Sequence, residues 1–277
     1  MNGFYWLTSY PKSGNTWVRL ALWALRHGRP PGLADLAGWI PVSGGRTAFD
    51  EVLEVESSDL CGAEIEALRP RLYEAMAREA TEPMVRKVHE GWVMTPAGEP
   101  LFPPAATIGA IYVARDPRDV AVALSHHLGV PQDEAIAFMA APDARLFSKF
   151  RSLGRQFTSR LLTWSRHVES WLDDSGARVL VVRYEDMSAD LPAELARVAQ
   201  FLGWAPGPEA VTAAREGTRF DRLRSEEARK GFREKPPEME RFFRRGEAGG
   251  WRDTLTPAQA ARIERDHGAV MARLGYR

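Results

Sequence analysis

The chain has 277 residues, 44% hydrophobic and 27% charged, a composition that excludes disordered, collagen-like and low-complexity proteins. Lys plus Arg and Asp plus Glu are both 37, so the formal charge is zero, which argues against bulk attraction to nucleic acid or an acidic membrane surface but allows a local basic patch. The one cysteine, Cys61, can make no internal disulfide and no Cys-rich metal site, which favours a reducing compartment.

The opening, MNGFYWLTSYPKSGNTW, has no basic n-region and no long apolar h-region. The longest apolar runs, such as Ile108 to Ala114, are strand-sized and far short of the ~20 residues of a membrane helix. No membrane span and a cytoplasmic location are therefore expected. Phe4 to Ser9 is an aromatic, β-favouring run that predicts a buried strand, stopped by Tyr10-Pro11. Trp17, Leu20, Ala21, Ala24 and Leu25 recur at helical spacing and predict a helix over about 16–26. Residues 29–50 are rich in Pro and Gly and read as a long loop. A helix over 63–80, interrupted or kinked at Pro70, precedes a short strand over 83–89 and a loop over 95–106. Thr107 to Ala114 is continuously apolar, as in a strand covered on both faces. Asp116-Pro117 reads as an N-cap with proline in the first helical position, opening a helix to about Leu128. Helical patterns fill roughly 132–141 and 151–174, and Arg178 to Arg183 reads as another buried strand. Further helices are expected over 190–202, 207–216 and 257–274. Residues 219–252 carry 11 Lys/Arg against 7 Asp/Glu, with Pro236-Pro237, Gly246, Gly249 and Gly250 among them. They read as a long basic segment, not a packed helix, that could close over an anionic ligand.

Short apolar strands alternating with longer helices predict an α/β fold with a central, mostly parallel sheet flanked by helices. The expected organisation is a single domain over 1–277, with mobile loops at about 29–50, 95–106 and 228–250. In such sheets ligands sit at the carboxyl ends of strands, and here three strand ends are conspicuously polar. After the first comes Tyr10-Pro11-Lys12-Ser13-Gly14-Asn15-Thr16-Trp17. A turn there aims backbone N–H groups and the positive helix end at one spot, with Lys12 and the hydroxyls of Ser13 and Thr16 beside it, and Gly14 lets an anion approach. A tight turn with a helix cap is the plain alternative. The nucleotide-triphosphatase loop, GxxxxGK followed by Ser or Thr, is absent, because Lys12 precedes the glycine. After the third strand, Arg115-Asp116-Pro117-Arg118-Asp119 offers a second anion site with a guanidinium suited to phosphate. Two such sites suggest one ligand with two separated anionic groups. His89 stands two residues after Lys87 at the end of the short strand, a plausible position for a general base, although a lone histidine is ordinarily structural. His126 and His127 read as helix-face residues; being adjacent they point apart, and no spacing suggests a metal site.

Together these pieces resemble the cytosolic-type sulfotransferases that use 3′-phosphoadenylyl sulfate (PAPS). YPKSGNTW resembles the family's 5′-phosphosulfate loop, IYVARDPRDVAVALSHH its 3′-phosphate strand and helix, and FFRRGEAGGWRDTLT its C-terminal RKGxxGDW segment. RKVH is similar to its Lys-x-His strand, and RYEDM to the strand end that carries Tyr184. Order and spacing agree over about residues 3–270. The resemblance implies a P-loop-like sulfotransferase fold. By it, Lys12, Ser13, Gly14, Asn15, Thr16 and Trp17 hold the phosphosulfate and stack the adenine; Arg115, Arg244, Arg245 and Gly246 hold the 3′-phosphate; Tyr184, Thr218, Phe220 and Phe242 line adenine and ribose. Arg229-Lys230-Gly231 is set aside as the 3′-phosphate segment because no Gly-x-Trp follows it.

The implied activity is in-line, metal-independent transfer of a sulfuryl group from PAPS to a hydroxyl or amine of a small molecule, leaving PAP. His89 would take the acceptor's proton, Lys12 would stabilise the bridging oxygen, and Lys87 the sulfuryl oxygens. Trp39, Trp92, Phe102, Phe138, Met139, Phe147 and Phe150 could line an acceptor pocket suited to an aromatic or lipophilic alcohol, or could be core. Two departures stand out. Ala123 occupies the place where the family usually has a serine, and Ser125 lies about 200° further around a helix. Pro257 and Ala261 replace the Val and Glu of the family's dimer motif, leaving the oligomeric state open. The alternative readings are a nucleotide kinase or NTPase and a catalytically inactive nucleotide-binding module.

Overall fold

The computed structural model describes residues 2–147, 154–236 and 239–277. In chain order the elements are β1 (Phe4–Thr8), α1 (Asn15–His27), α2 (Arg46–Leu53), α3 (Gly62–Glu79), β2 (Met84–Val88), β3 (Thr107–Ala114), α4 (Pro117–Leu128) and α5 (Gln132–Ala140). There follow β4 (Arg145–Leu146), β5 (Ser159–Arg160), α6 (Trp164–Glu169), β6 (Val179–Arg183), α7 (Tyr184–Ala189), α8 (Leu191–Leu202), α9 (Pro208–Gly217), α10 (Phe220–Lys230) and α11 (Pro257–Arg273). The fold is α/β, with a 4-stranded sheet in the order β2-β1-β3-β6, and β1 runs parallel to both its neighbours. Among the described residues no helix is long and apolar enough to cross a membrane.

By its internal contacts the chain divides into two units, residues 1–10, 41–112 and 140–179, and residues 11–40, 113–139 and 180–277. The first is organised by β1, every residue of which is buried. Trp6 donates its indole N–H to Thr107 Oγ1 of β3 at 2.9 Å, and its ring packs on Phe4, Tyr73 and Phe102. Register pairs Leu7 with Lys87 and Thr8 with Val88, and the outer edge of β2 is covered where Lys87 exchanges main-chain bonds with Pro41 and Ser43. Arg69 of α3 is fully buried and donates to Glu90 Oε1 at 2.7 Å and to the Tyr73 hydroxyl. A charge placed so deep is tolerated only when paired and hydrogen-bonded.

In the second unit α1 packs on α9, and α4 on α11. Asp116 caps α4 by accepting from the Arg118 N–H at 2.9 Å, with Pro117 in the first turn, as the sequence predicts. A buried apolar cluster joins Leu20 of α1, Leu33, Leu36, Leu223 of α10, Phe232 and Phe243.

Several predicted elements are corrected. Residues 29–50 are not all loop: Leu33–Leu36 form a 3-10 turn inserted into the apolar cluster, and α2 begins at Arg46. α3 runs unbroken through Pro70. The helix expected over 151–174 begins only at Trp164, because Leu162 has φ 65° and Thr163 then caps the helix by accepting from the Arg166 N–H; positions 151–153 lie outside the described residues. Within the basic segment 219–252, α10 is a packed helix, since Leu223, Glu226 and Glu227 turn one buried face inward. Pro237 lies outside the described residues.

Candidate functional site

The turn between β1 and α1 belongs to the second unit from Pro11 onward, and its backbone is unusual at two places. Lys12 has φ 72° and Gly14 φ 107°. Gly14 is the N-cap of α1, and no side chain caps the first turn there. A Cβ on Gly14 would lie 2.8 Å from the Tyr184 ring, so conformation and space both demand glycine. Asn15 and Thr16 open the helix with no acidic residue in the first turn, so the helix places no anion of its own on its N-terminal dipole. Ser13 is buried and its Oγ finds no partner among the described residues, a hydroxyl disposed as a donor toward an anion. Lys12 Nζ sits 4.1 Å from the centroid of the Phe242 ring.

Around this turn the structure gathers most of the residues predicted to hold a nucleotide. The Trp17 indole donates to Thr218 Oγ1 at 3.0 Å, and its ring stands edge-on to Tyr184 at 5.3 Å. Arg115 lies 4.1 Å over the Tyr184 ring, donates to the Lys12 carbonyl at 3.4 Å and to the Glu247 carbonyl at 2.8 Å. Arg115 thus touches the turn, the aromatic wall and the C-terminal basic segment at once. Arg244 is half-buried and has no acidic partner among the described residues. Burial, and then the charges of Arg245 and Arg115, hold its pKa below the ordinary guanidinium value. Arg245 is exposed and donates to the Gly250 carbonyl and Thr254 Oγ1. Gly246, at φ 69°, is pressed against Phe220, where a Cβ would come within 2.1 Å of the ring. Phe220 is therefore packed by Gly246 and Phe243. Ser125 donates to the Val130 carbonyl at 2.6 Å at the end of α4, so it is committed to its own helix terminus while Ala123 supplies no hydroxyl.

In the first unit, Lys87 and His89 alternate with the buried Arg86, Val88 and Glu90 and so share one face of β2 and its extension. His89 Nδ1 lies 3.0 Å from the Ser9 carbonyl and 3.4 Å from Ser9 Oγ. A carbonyl only accepts, so Nδ1 carries the proton and Nε2 is the basic nitrogen of the neutral ring. The His89 carbonyl accepts from His167 Nε2 at 3.1 Å, and His167 Nδ1 accepts from the Tyr112 hydroxyl at 2.8 Å. His167 is fully buried, and burial pushes its pKa down to about 4.

The sulfotransferase domain profile matches residues 4–275. The chain belongs to the sulfotransferase domain family. It is 24% identical to mouse sulfotransferase 1E1 over 93% of its own length and 80% of that protein, and 26% identical to Arabidopsis thaliana cytosolic sulfotransferase 12 over 94% and 74%. Among solved structures it resembles mouse sulfotransferase SULT7A1 complexed with PAP, with TM-score 0.62 and 18% identity over 97% of this chain and 84% of that one. It also resembles retinol dehydratase in complex with androsterone and inactive cofactor PAP, with TM-score 0.62 and 21% identity over 97% and 80%. These structures share its fold.

For the apolar residues that could line an acceptor pocket or be core, the sulfotransferase decides some of the cases. Phe102 is wholly buried between Trp6, Tyr73, Trp92 and Trp171, and Met139 is wholly buried as well, so Trp92, Phe102 and Met139 are core. Trp39 is fixed by its indole N–H on the Arg19 carbonyl, Phe138 and Phe147 are half-buried, and Phe150 lies outside the described residues. Two carboxylates escaped the sequence reading. Glu227 accepts from the Phe242 and Phe243 N–H groups at 2.7 and 2.9 Å, and Asp119 from the Gly249 and Trp251 N–H groups at 2.6 and 2.9 Å. The signal for Glu227 is its four- and seven-residue spacing from Leu223 and Phe220, hidden by the density of surrounding charge. Asp119 stands in the sequence only as the last member of the run assigned to a second anion site.

Proposed function

We propose that this sulfotransferase moves the sulfuryl group of PAPS to a hydroxyl or amine of a small-molecule acceptor, releasing PAP. The observation that carries the reading is the placement of Arg115, which joins the anion-binding turn, Tyr184 and the basic segment bearing Arg244 and Arg245. The residues suit a nucleotide with two anionic ends. The buried Ser13 hydroxyl and the uncapped start of α1 fit one end, a cluster of arginines without an acidic partner for Arg244 fits the other, and Trp17 and Tyr184 offer aromatic surface for the base. The PAP bound in the related mouse sulfotransferase and in retinol dehydratase supports the same ligand here.

The donor supplies an activated sulfur–oxygen bond, which breaks as the acceptor oxygen or nitrogen bonds to sulfur. In this reading Lys12 stabilises the charge that grows on the bridging oxygen, Lys87 stabilises the sulfuryl oxygens, and His89 takes the acceptor's proton on Nε2. Fixed charge aimed at a loose, in-line transition state is the main requirement of such a transfer, and no metal is needed in this scheme. Of the apolar residues named for an acceptor pocket, Trp92, Phe102 and Met139 are core, which leaves the half-buried Trp39, Phe138 and Phe147 as the candidates for contact with an acceptor.

Calorimetry with PAP and with adenosine 5′-phosphate, both in the presence of a chelator, tests the nucleotide. Binding of PAP is expected, with adenosine 5′-phosphate weaker by about ten- to a hundredfold for the lost charge-assisted bonds. No heat at millimolar PAP overturns the proposal. Transfer of label from sulfate-labelled PAPS to a panel of hydroxylated compounds then identifies the acceptor.

A further inference from the structure

The basic segment is held at both ends by carboxylates that come from two helices. Ahead of the arginine pair, Glu227 of α10 spans two consecutive N–H groups, those of Phe242 and Phe243, with one oxygen on each. Behind it, Asp119 of α4 accepts from the N–H groups of Gly249 and Trp251, on either side of Gly250, with one oxygen on each. Both carboxylates are buried, so the four bonds are made out of competition with water. Between the two staples lie Arg244, Arg245 and Gly246, and Arg115 ties the intervening Glu247 carbonyl from the side. Three guanidinium groups that repel one another are thereby kept together. Asp119 Oδ2 also lies 3.9 Å from the Arg115 guanidinium, whereas Arg244 has no acidic partner among the described residues.

We propose that Glu227 and Asp119 are positioning residues that fix the segment 242–251 so that Arg244 and Arg245 meet a phosphate on the 3′ position, and that they thereby set the preference of the enzyme for a 3′-phosphorylated nucleotide. The proposal rests on the PAPS reading above. Glu227 acts through main-chain N–H groups, and Asp119 through main-chain N–H groups and its ion pair with Arg115; loss of these contacts frees the arginines to move apart.

The test uses the full chain and two probes, PAP and adenosine 5′-phosphate, with affinities measured by calorimetry. Glu227→Gln and Asp119→Asn keep the shape of each side chain while removing its charge. Each should lower the affinity for PAP by about tenfold and that for adenosine 5′-phosphate by less than about twofold. In an Arg244→Ala, Arg245→Ala background the effect of Glu227→Gln on PAP should vanish, which a purely structural role would not produce. Should Asp119→Asn fail to fold, Glu227→Gln alone decides, with trypsin cleavage after Arg244 and Arg245 in the ligand-free chain as a second readout; faster cleavage is expected. If wild type prefers PAP and the variants keep that preference, or lose both nucleotides in proportion, the inference is overturned while the PAPS reading stands. If wild type does not distinguish the two nucleotides, both fall.

Discussion

His89 is held through its ring and its backbone at once, by the Ser9 carbonyl on Nδ1 and by His167 on its own carbonyl. A neutral His167 has one donor and one acceptor, and both are spent here, on the His89 carbonyl and the Tyr112 hydroxyl. Replacing His89 by Ala is expected to lower kcat by about 10²–10⁴-fold with PAP affinity unchanged, the loss typical of a general base. Measurement of kcat, PAP affinity and melting temperature on one preparation checks this. A melting temperature and PAP affinity that fall together, with activity lost only as folded protein is lost, would make His89 structural. Lys87 and His89 were legible because alternation along a strand is written in the sequence. The Arg69–Glu90 pair beside them was not, since burial of a charge depends on a partner 21 residues away that no local pattern names.

At the scale of elements, α10 shows how charge density can mask a packed helix. Its stretch FDRLRSEEARK reads as a solvated run, yet Leu223 is buried against Leu20, Leu33, Leu36, Phe232 and Phe243, and Glu226 accepts from the Leu33 N–H. The inward acidic residues do work that polar surface residues ordinarily do not: they satisfy main-chain donors of neighbouring loops. Leu223→Ala should destabilise the chain by about 2–5 kcal/mol, the usual cost of emptying a core leucine. Arg224→Ala, one residue on and exposed, should stay within about 0.5 kcal/mol. Urea unfolding of both variants compares them. The absence of the expected helix over 154–163 has the opposite cause. Its composition permits a helix, but the left-handed Leu162 and the cap at Thr163 set the start later, and backbone reversals of that kind carry no marker when the residue is not glycine.

For the whole molecule, the alternation of strands and helices made the α/β class legible, whereas the sheet order β2-β1-β3-β6 depends on crossovers whose direction the chain does not spell out. Stability should also respond to pH through two buried histidines. Burial lowers the pKa of His167 and of His267 from 6.5 to about 4, so in both cases the unfolded chain binds protons that the folded chain refuses. The stability they lend is complete above about pH 6.5 and drains away as pH falls toward 4, by about 2 kcal/mol per histidine at pH 5. Melting temperatures between about pH 7.5 and 5 should fall accordingly, and His167→Gln should flatten the slope; a curve unchanged by that variant would show that His167 titrates normally. The gathering of Arg115, Arg244 and Arg245 has a consequence of another kind. Like charges confined together oppose the fold that confines them, so the ligand-free protein is under a self-repulsion that a multivalent anion relieves. Function and thermal endurance therefore pull on Arg244 in opposite directions. Arg244→Ala should melt above wild type in ligand-free buffer of low ionic strength and below it once PAP is saturating, and a variant that melts lower in both conditions would show that the cluster carries no such tension.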